Sequence, residues 1–406
     1  MGGRLEQYSK VRMGMIGGGA GAFIGSVHRH AIMMDGYSEL VCGAFSRDAD
    51  NNQQTSAQFG INKDRVYDSW QSLIEGESTL PEKQRMQVLV IVTPNHMHVP
   101  IAQKAIQHGF HVFCEKPLAI SLDEAELLAQ RLKNTPVLFG LAHTYLGYPM
   151  VWQAQHLVAS GAIGSVRKII VEYPQGWLSA NEEQSNKQAA WRTDPAQSGG
   201  SGCMGDIGTH AFGMAEFVTQ HQISDICAEL NIHIDGRRLD DDGAALFKTK
   251  QGATGTLIAS QVCAGVENGL SIRVYGDKGG IEWQQMQPDT LIHRRTDAPF
   301  QVYRAGQGNV GLCAEAMSRC RVPAGHPEGY LEAMANLYSM FAKAVTHHQD
   351  HPVINSNVDG VPSIYSGLRG MAFIQTMLES AASDKKWTAF VASSADTQDL
   401  KNEVIL

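Results

Sequence analysis

The first third of the chain is a series of short apolar runs, each followed by a turn and an amphipathic stretch. Val11–Ile16 leads through a glycine-rich turn into a helix continuing through Val27 to Met34. Leu40–Phe45 is the next strand pattern, and Asp68–Glu75 reads as a short helix. Val88–Val92 is uninterruptedly apolar, as expected of a parallel strand covered on both faces. Val99–His108 reads as a helix closed by Gly109. A further apolar run from Phe110 to Cys114 delivers the turn Glu115-Lys116-Pro117-Leu118. Ser121 and Glu124 have the spacing of a helix-starting capping box, with the helix running to about Asn134, and Val137–Leu141 supplies another strand. This alternation predicts an α/β doubly wound, mainly parallel sheet.

After a helix over Tyr148–Ser160, stopped by Gly161, strand patterns follow one another: Val166–Tyr173, Ile223–Ile234, Ala244–Thr249, Thr254–Val262, Leu270–Gly276 and Ile281–Gln284. Turns such as Lys250-Gln251-Gly252 and Gly276–Gly280 separate them, the signature of an antiparallel meander. Tyr330–Val345 and Ser363–Ser383 read as late helices, and the end from Ala392 as peripheral. A chain of 406 residues exceeds one compact core. The expected division is a nucleotide-binding domain over 1–145 and an α+β domain over 146–406, built on a large open, mainly antiparallel sheet.

Composition narrows the class. With 43% hydrophobic and 18% charged residues the chain reads as an ordinary globular protein. A net charge of -8 gives no general attraction to nucleic acid or an anionic membrane. The start, Met1 to Lys10, is polar without an apolar signal core, and no run approaches the ~20 apolar residues of a membrane helix, so a cytoplasmic location is expected. The seven cysteines are odd in number, scattered and without a Cys-x-x-Cys pair. That argues against a disulfide framework or a structural zinc site and for small buried apolar roles.

Several segments carry candidate chemistry. Gly17-x-Gly19-x-x-Ala22, between a strand and a helix, is a dinucleotide fingerprint in its proper context. Gly17 permits the tight turn, Gly19 lets a phosphate approach the backbone, and small Ala22 lets the helix pack; Ala20 and Phe23 lie in the same turn. At the tip of the second strand, Ser46 and Arg47 suit a 2'-phosphate, whereas Asp48 arrives late for a ribose-reading acid; NAD or NADP stays open, with a lean to NADP. Arg47 also suits a solvated turn and Asp48 a helix cap. Thr93-Pro94-Asn95-His96-Met97-His98 follows a strand end, and its histidines find no carboxylate or cysteine to complete a metal ligand set, so no metal is expected. Lys116, after a buried-type strand and before a proline, can present its ammonium at a strand end, where ligands of open α/β sheets sit. In the second half a glycine-rich loop from Ser198 leads into an expected helix, on which Asp206 and His210 share a face. Histidine is the natural proton acceptor near neutral pH, and a nearby carboxylate can orient it or bind a hydroxyl. Trp191-Arg192 offers an aromatic wall and a fixed cation. Specificity is expected to rest on loops at His143–Tyr148, including Tyr145, and at Tyr173–Arg192.

Together, Gly17-x-Gly19-x-x-Ala22, Thr93-Pro94-Asn95-x-x-His98, Glu115-Lys116-Pro117 and Gly205-Asp206-x-x-x-His210 resemble the Gfo/Idh/MocA oxidoreductase family, over most of the chain and in the right order. The resemblance implies an amino-terminal Rossmann domain, an open-sheet domain for substrate binding and oligomerisation as a homodimer or homotetramer, and NAD(P)-dependent oxidation or reduction of sugars, cyclitols and their derivatives. It implies that Lys116 contacts the reacting oxygen, Asp206 binds or orients substrate and His210 is the acid/base. By the same resemblance, Asn95 and Glu115 line the nicotinamide end. Two rivals come with the family: a glycosidase working by transient oxidation and elimination at bound NAD, and a non-catalytic dinucleotide-binding sensor. The sensor is expected to lack the Lys116 and His210 pair that this chain has.

Overall fold

The computed structural model describes residues 9–350 and 357–391; residues 1–8 of the polar start and the end from Ala392, expected to be peripheral, lie outside them. The first unit runs β1 (Val11–Gly17), α1 (Phe23–Met34), β2 (Ser38–Ala44), α2 (Ala49–Gln58), α3 (Trp70–Thr79), β3 (Val88–Val92), α4 (His98–Gln107), β4 (His111–Cys114), α5 (Leu122–Leu132) and β5 (Phe139–Leu141). Its five strands are parallel in the order β2-β1-β3-β4-β5. The order reverses between β1 and β3, and their carboxyl ends therefore frame the crevice where such sheets bind ligands.

The all-apolar β3 is explained by what covers it. Successive side chains of a strand point to opposite faces. Leu89 and Ile91 enter one core with Ile101 and Ala105 of α4 and Leu128 of α5, while Val88, Val90 and Val92 enter another with Val27 and Ile32 of α1. Ser121 caps α5 by accepting from the Glu124 amide at 3.3 Å.

The second unit begins with α6 (Pro149–Ala159) and β6 (Val166–Pro174), then the short helices α7 (Lys187–Arg192) and α8 (Pro195–Ser198). A π-helical turn over Met204–Gly208 runs into α9 (Thr209–Thr219), followed by β7 (Ile223–Asn231), β8 (Asp242–Thr249), β9 (Thr254–Ser260), β10 (Ser271–Gly276), β11 (Gly279–Gln284), β12 (Thr290–Arg295) and β13 (Gln301–Arg304). The chain continues with α10 (Ala314–Met317), α11 (Tyr330–Asp350), α12 (Ile364–Ala381) and β14 (Thr388–Ala389). The nine-stranded sheet has the order β13-β12-β11-β10-β6-β9-β8-β7-β14.

It departs from a plain meander at its centre, where β6 and β9 pair in parallel. The crossover between them carries α7, α8, the π turn and α9, the segment that holds the candidate chemistry. Strands β12, β13 and β14 extend the sheet beyond the expected set, and β7 ends at Asn231 rather than Ile234. One face is buried, with Ile169, Val171, Leu257, Ile272, Trp283 and Leu291 in the main core, and Leu246, Ile258 and Val302 stand exposed on the opposite face.

Helix α11 returns to the first unit. Met334, Leu337, Tyr338 and Phe341 pack with Phe113, Val88 and Val90, and the Tyr338 ring lies 4.4 Å from that of Phe113. Burying each such side chain stabilises by roughly 1.5–3 kcal/mol.

Candidate active site

The turn after β1 is built from close backbone approaches. Gly17 has φ +80°, and a Cβ on it would stand 2.3 Å from the Val92 carbonyl oxygen; one on Gly19 would meet the Asn51 side chain at 2.4 Å and the Phe45 carbonyl at 3.0 Å. The tight helix-to-turn approach expected at Ala22 is taken by Gly25, whose Cβ would fall 2.2 Å from the Gly18 oxygen, while Ala22 occupies the N-cap of α1. Helix α2 braces the turn: Thr55 Oγ1 accepts from the Ala20 amide at 2.9 Å and Asn51 Nδ2 donates to the Ala20 carbonyl at 2.9 Å. Phe23 is exposed and stacks on Tyr330. Beyond β2, Asp48 caps α2 by accepting from the Asn51 amide at 2.8 Å, Ser46 Oγ accepts from the Asp48 amide at 3.1 Å, and Arg47 is exposed.

At the carboxyl end of β3, Thr93 Oγ1 is buried without a hydrogen-bond partner. Pro94 precedes Asn95, which is buried and donates through Nδ2 to the Ser198 carbonyl at 3.0 Å, linking the two units. His98 is fully buried, its ring nitrogens 2.8 Å from the Pro117 carbonyl and 2.9 Å from the Thr93 carbonyl. It braces the loop against the Lys116 turn, and burial lowers its proton affinity.

Glu115 is held from two sides. One carboxylate oxygen takes His28 Nε2 at 2.7 Å, and the other accepts from the Lys116 amide at 3.0 Å. His28 Nδ1 in turn meets the Tyr338 hydroxyl at 2.5 Å. Burial works against the Glu115 charge, but the His28 contact and the Lys116 charge outweigh it and hold the carboxyl below its usual range. Burial pushes the Tyr338 phenol well up, so its hydroxyl stays protonated.

Lys116 reaches across to the second unit. Its ammonium donates to the Asp206 backbone carbonyl at 2.6 Å and to Oδ1 at 2.8 Å. Asp206 Oδ2 accepts from Arg192 Nε at 3.2 Å and Gln261 Nε2 at 2.9 Å. Burial alone would raise the Asp206 proton affinity; the charges of Lys116 and Arg192 overcome it and keep the carboxylate ionised far below its usual range. Arg192 is stacked 4.3 Å from the Trp191 ring and 5.7 Å from Trp177.

His210 sits one helical turn on, buried, its ring 4.8 Å from Tyr145, 5.4 Å from His143 and 6.2 Å from Tyr173. Among the described residues neither of its nitrogens has a hydrogen-bond partner. Burial first, then the Lys116 and His143 charges, lower its proton affinity well below that of a free histidine, so it is a neutral acceptor. His143, also buried, is pulled down to about 4 by burial and Lys116, and its Nδ1 is unpartnered. Beside this pair the Tyr145 and Tyr173 hydroxyls meet, Tyr173 donates to Asn268 Oδ1 at 2.7 Å, and Asn268 Nδ2 donates to Tyr145 at 3.1 Å.

The π turn is fixed from β8's leading edge. Asp240 accepts from the amides of Gly202 and Met204 at 2.8 Å each through its carboxylate, and from Cys203 at 2.7 Å through its carbonyl. Such turns recur at functional sites.

The structure therefore gathers Lys116, Asp206, His210, Arg192, His143 and Tyr145 into one site, with Glu115 and Asn95 at its edge and Trp191 stacked behind Arg192. Gln261, Asn268, Asp240 and His28 escape the sequence reading. The Asp240-Asp241-Asp242 run was a visible signal; a single glutamine or asparagine after a strand is not.

Comparison with known proteins shows the family. Residues 11–143 match the family model of the GFO/IDH/MocA oxidoreductases, NAD-binding Rossmann fold, and residues 151–282 match the GFO/IDH/MocA C-terminal domain. The crystal structure of an inositol dehydrogenase homolog from Azotobacter vinelandii complexed with NAD+ is 32% identical, over 94% of this chain and 98% of that one, at a TM-score of 0.88. The same organism's homolog complexed with NADH and myo-inositol gives 31% identity, 94% and 98% coverage, and a TM-score of 0.86. Levoglucosan dehydrogenase of Pseudarthrobacter phenanthrenivorans is 26% identical over 69% of this chain and 75% of that enzyme. The side-chain-free turn that the close approaches at Gly17 and Gly19 enforce, and the unpartnered Thr93 hydroxyl, suit a dinucleotide lying across the ends of β1 and β3.

Proposed function

Because the chain belongs to the Gfo/Idh/MocA family of NAD-binding oxidoreductases, we propose that it is an NAD-dependent dehydrogenase acting on a CH-OH carbon of a cyclitol, sugar or sugar derivative. The observation that carries the reading is the Lys116–Asp206 ion pair set beside a buried, unbonded, neutral His210. When bound, the nicotinamide ring supplies the hydride acceptor. His210 takes the hydroxyl proton of the substrate. An ammonium has three donors, and Lys116 spends two on Asp206, so the third serves the substrate oxygen as negative charge grows on it. Asp206, held by Arg192 and Gln261, keeps the ammonium in place, while Glu115 fixes the Lys116 backbone.

NAD rather than NADP is the assigned cofactor: Asp48 caps α2, Ser46 Oγ accepts from the Asp48 amide, and the structural relatives carry NAD+ or NADH. Residues 1–145 are assigned to NAD binding and 146–406 to substrate binding and self-association as a homodimer or homotetramer through the exposed sheet face. The seven cysteines are all unpaired, which suits a reducing cytoplasm. Among the described residues no helix is long and apolar enough to cross a membrane.

The test is a panel of inositols, anhydrosugars, hexoses and glycosides incubated with NAD and followed by NADH absorbance. Steady NADH formation on a polyol or sugar is the expected result. Glycoside cleavage without net NADH would replace this reading with the glycosidase, and dinucleotide binding without turnover of any compound would replace it with the sensor.

A further inference from the structure

A second cavity, of about 220 Å³, lies far from the dinucleotide crevice. Tyr37, on its wall, accepts through its carbonyl from the amide of Val11, the first residue of β1, which places it at the amino ends of the strands, opposite Gly17. Three cations line it, Arg319, Arg321 and Lys343, against one carboxylate, Asp35.

Arg321 is already neutralised. It grips Asp35 with two hydrogen bonds of 2.7 and 2.5 Å and reaches Glu328 at 3.2 Å, and Ser339 gives Asp35 a further bond at 2.5 Å. Arg319 and Lys343 have no such partner among the described residues. Lys343 is exposed, its ammonium 4.4 Å above the Tyr37 ring. Arg319 is 4% exposed, with its guanidinium 3.6 Å from the Trp152 ring and one nitrogen donating to the Glu315 carbonyl at 2.8 Å. Its Nε is buried with no acceptor, and its Nη2 makes no hydrogen bond among the described residues. Glu315, whose charge reaches Arg319, forms no ion pair with it.

A guanidinium buried without a counter-ion is costly. Burial brings Arg319 down to about 10, which still leaves it cationic at neutral pH. Held by Trp152 and Glu315, its planar fork is immobilised before any ligand arrives, and a rigid guanidinium fork matches the geometry of phosphate oxygens. The cavity is smaller than the roughly 300–1,000 Å³ of drug-sized ligand sites, which limits the occupant to a small group.

We infer that this cavity is a binding site for a small oxyanion, a phosphate group either free or carried by a small metabolite, held between Arg319 and Lys343.

The test is calorimetric titration of the full chain at fixed ionic strength, balanced with chloride, and with NAD in excess so that the dinucleotide site does not report. Inorganic phosphate is one titrant and glycerol 3-phosphate the other. One saturable site per chain is expected, weakened about tenfold or more in Lys343→Met, which removes one of the two charged donors. Lys343 is exposed, so this variant keeps its fold. Arg319→Lys, with folding checked by circular dichroism, is expected to lose binding because the fork is gone. Tighter binding of glycerol 3-phosphate would identify a phosphorylated metabolite, and equal or weaker binding the free ion. Absence of saturable heat with both titrants, or an unchanged affinity in Lys343→Met, would overturn the assignment.

Discussion

The ammonium of Lys116 and the carboxylate of Asp206 meet at 2.8 Å across ninety residues of sequence, and the same ammonium also holds the Asp206 carbonyl at 2.6 Å. One cation thus fixes both the side chain and the backbone of its partner, and through them the turn that leads to His210. Lys116→Ala is expected to lower kcat by roughly 10²- to 10⁴-fold, the range of a lost polarising donor. The dissociation constant for NAD, measured by calorimetry or fluorescence, should move by less than about threefold. An equal loss in both would mean that Lys116 serves cofactor binding rather than turnover.

Asp240 touches none of the reacting groups and acts through the backbone it holds. Asp240→Ala strips acceptors from the amides of Gly202 and Met204. Each charge-assisted bond contributes roughly 1.5–3 kcal/mol, so chemical denaturation should show a stability loss of a few kcal/mol. A misplacement of about 1 Å can cost 10²-fold in rate, and kcat should fall with it. Asp240→Asn, which keeps one acceptor oxygen and sets an NH2 against the other amide, should recover only part of either.

Acid is expected to destabilise the fold through a buried neutral histidine. His143 is held at about 4 by burial, against 6.5 when free. The unfolded chain therefore binds the extra proton first, and stability falls as pH drops from 6.5 toward 4. By pH 5 this single group accounts for roughly 2 kcal/mol. Urea midpoints measured between pH 7 and 5 should decline in the wild type and decline less in His143→Gln. His210 is shifted in the same direction, so the rate of polyol oxidation should show no inflection near pH 6.5.

Gly17→Ala tests the dinucleotide turn. The new methyl would lie 2.3 Å from the Val92 oxygen at a φ of +80°. Non-glycine residues in that region cost about 1–3 kcal/mol even without a clash. Loss of measurable NAD affinity together with a lower Tm is expected. Gly36→Ala, at φ +76° with nothing within 4 Å, separates backbone strain from the clash and should leave NAD binding intact.

Leu246 and Ile258 stand on the exposed face of the nine-stranded sheet. Leu246→Arg should shift the protein to a smaller species in light scattering if that face joins two chains, with little effect on the Tm of the separated chain. An unchanged mass would place the association elsewhere.

The residues that could be read from sequence are those whose chemistry depends on local spacing. The glycine turn, the strand-end Lys116 and the Asp206/His210 pair each announce themselves within a dozen residues. Asp48, which could have read ribose or capped a helix, caps the helix, and only the position of α2 settles that. His98 sits in a motif suited to cofactor contact, yet both its nitrogens go to backbone carbonyls. Gln261 arrives at the site through the parallel pairing of β6 with β9 and Asn268 through the antiparallel pairing of β6 with β10, and alternation of apolar residues says nothing about which strands become neighbours. The cavity walled by Arg319 and Lys343 depends on segments near residues 35 and 320, joined by an ion pair no periodicity foretells.

Helix α11 lies beyond residue 330 yet completes the interior of the first unit, where Tyr338 reaches His28 and packs on Phe113. A ribosome releases the five parallel strands long before it releases that helix. The nucleotide half must therefore wait, one apolar face only partly covered by α1, until α11 has emerged. Its amino-terminal half cut off alone should associate or precipitate, and a separately supplied carboxyl-terminal fragment should rescue it.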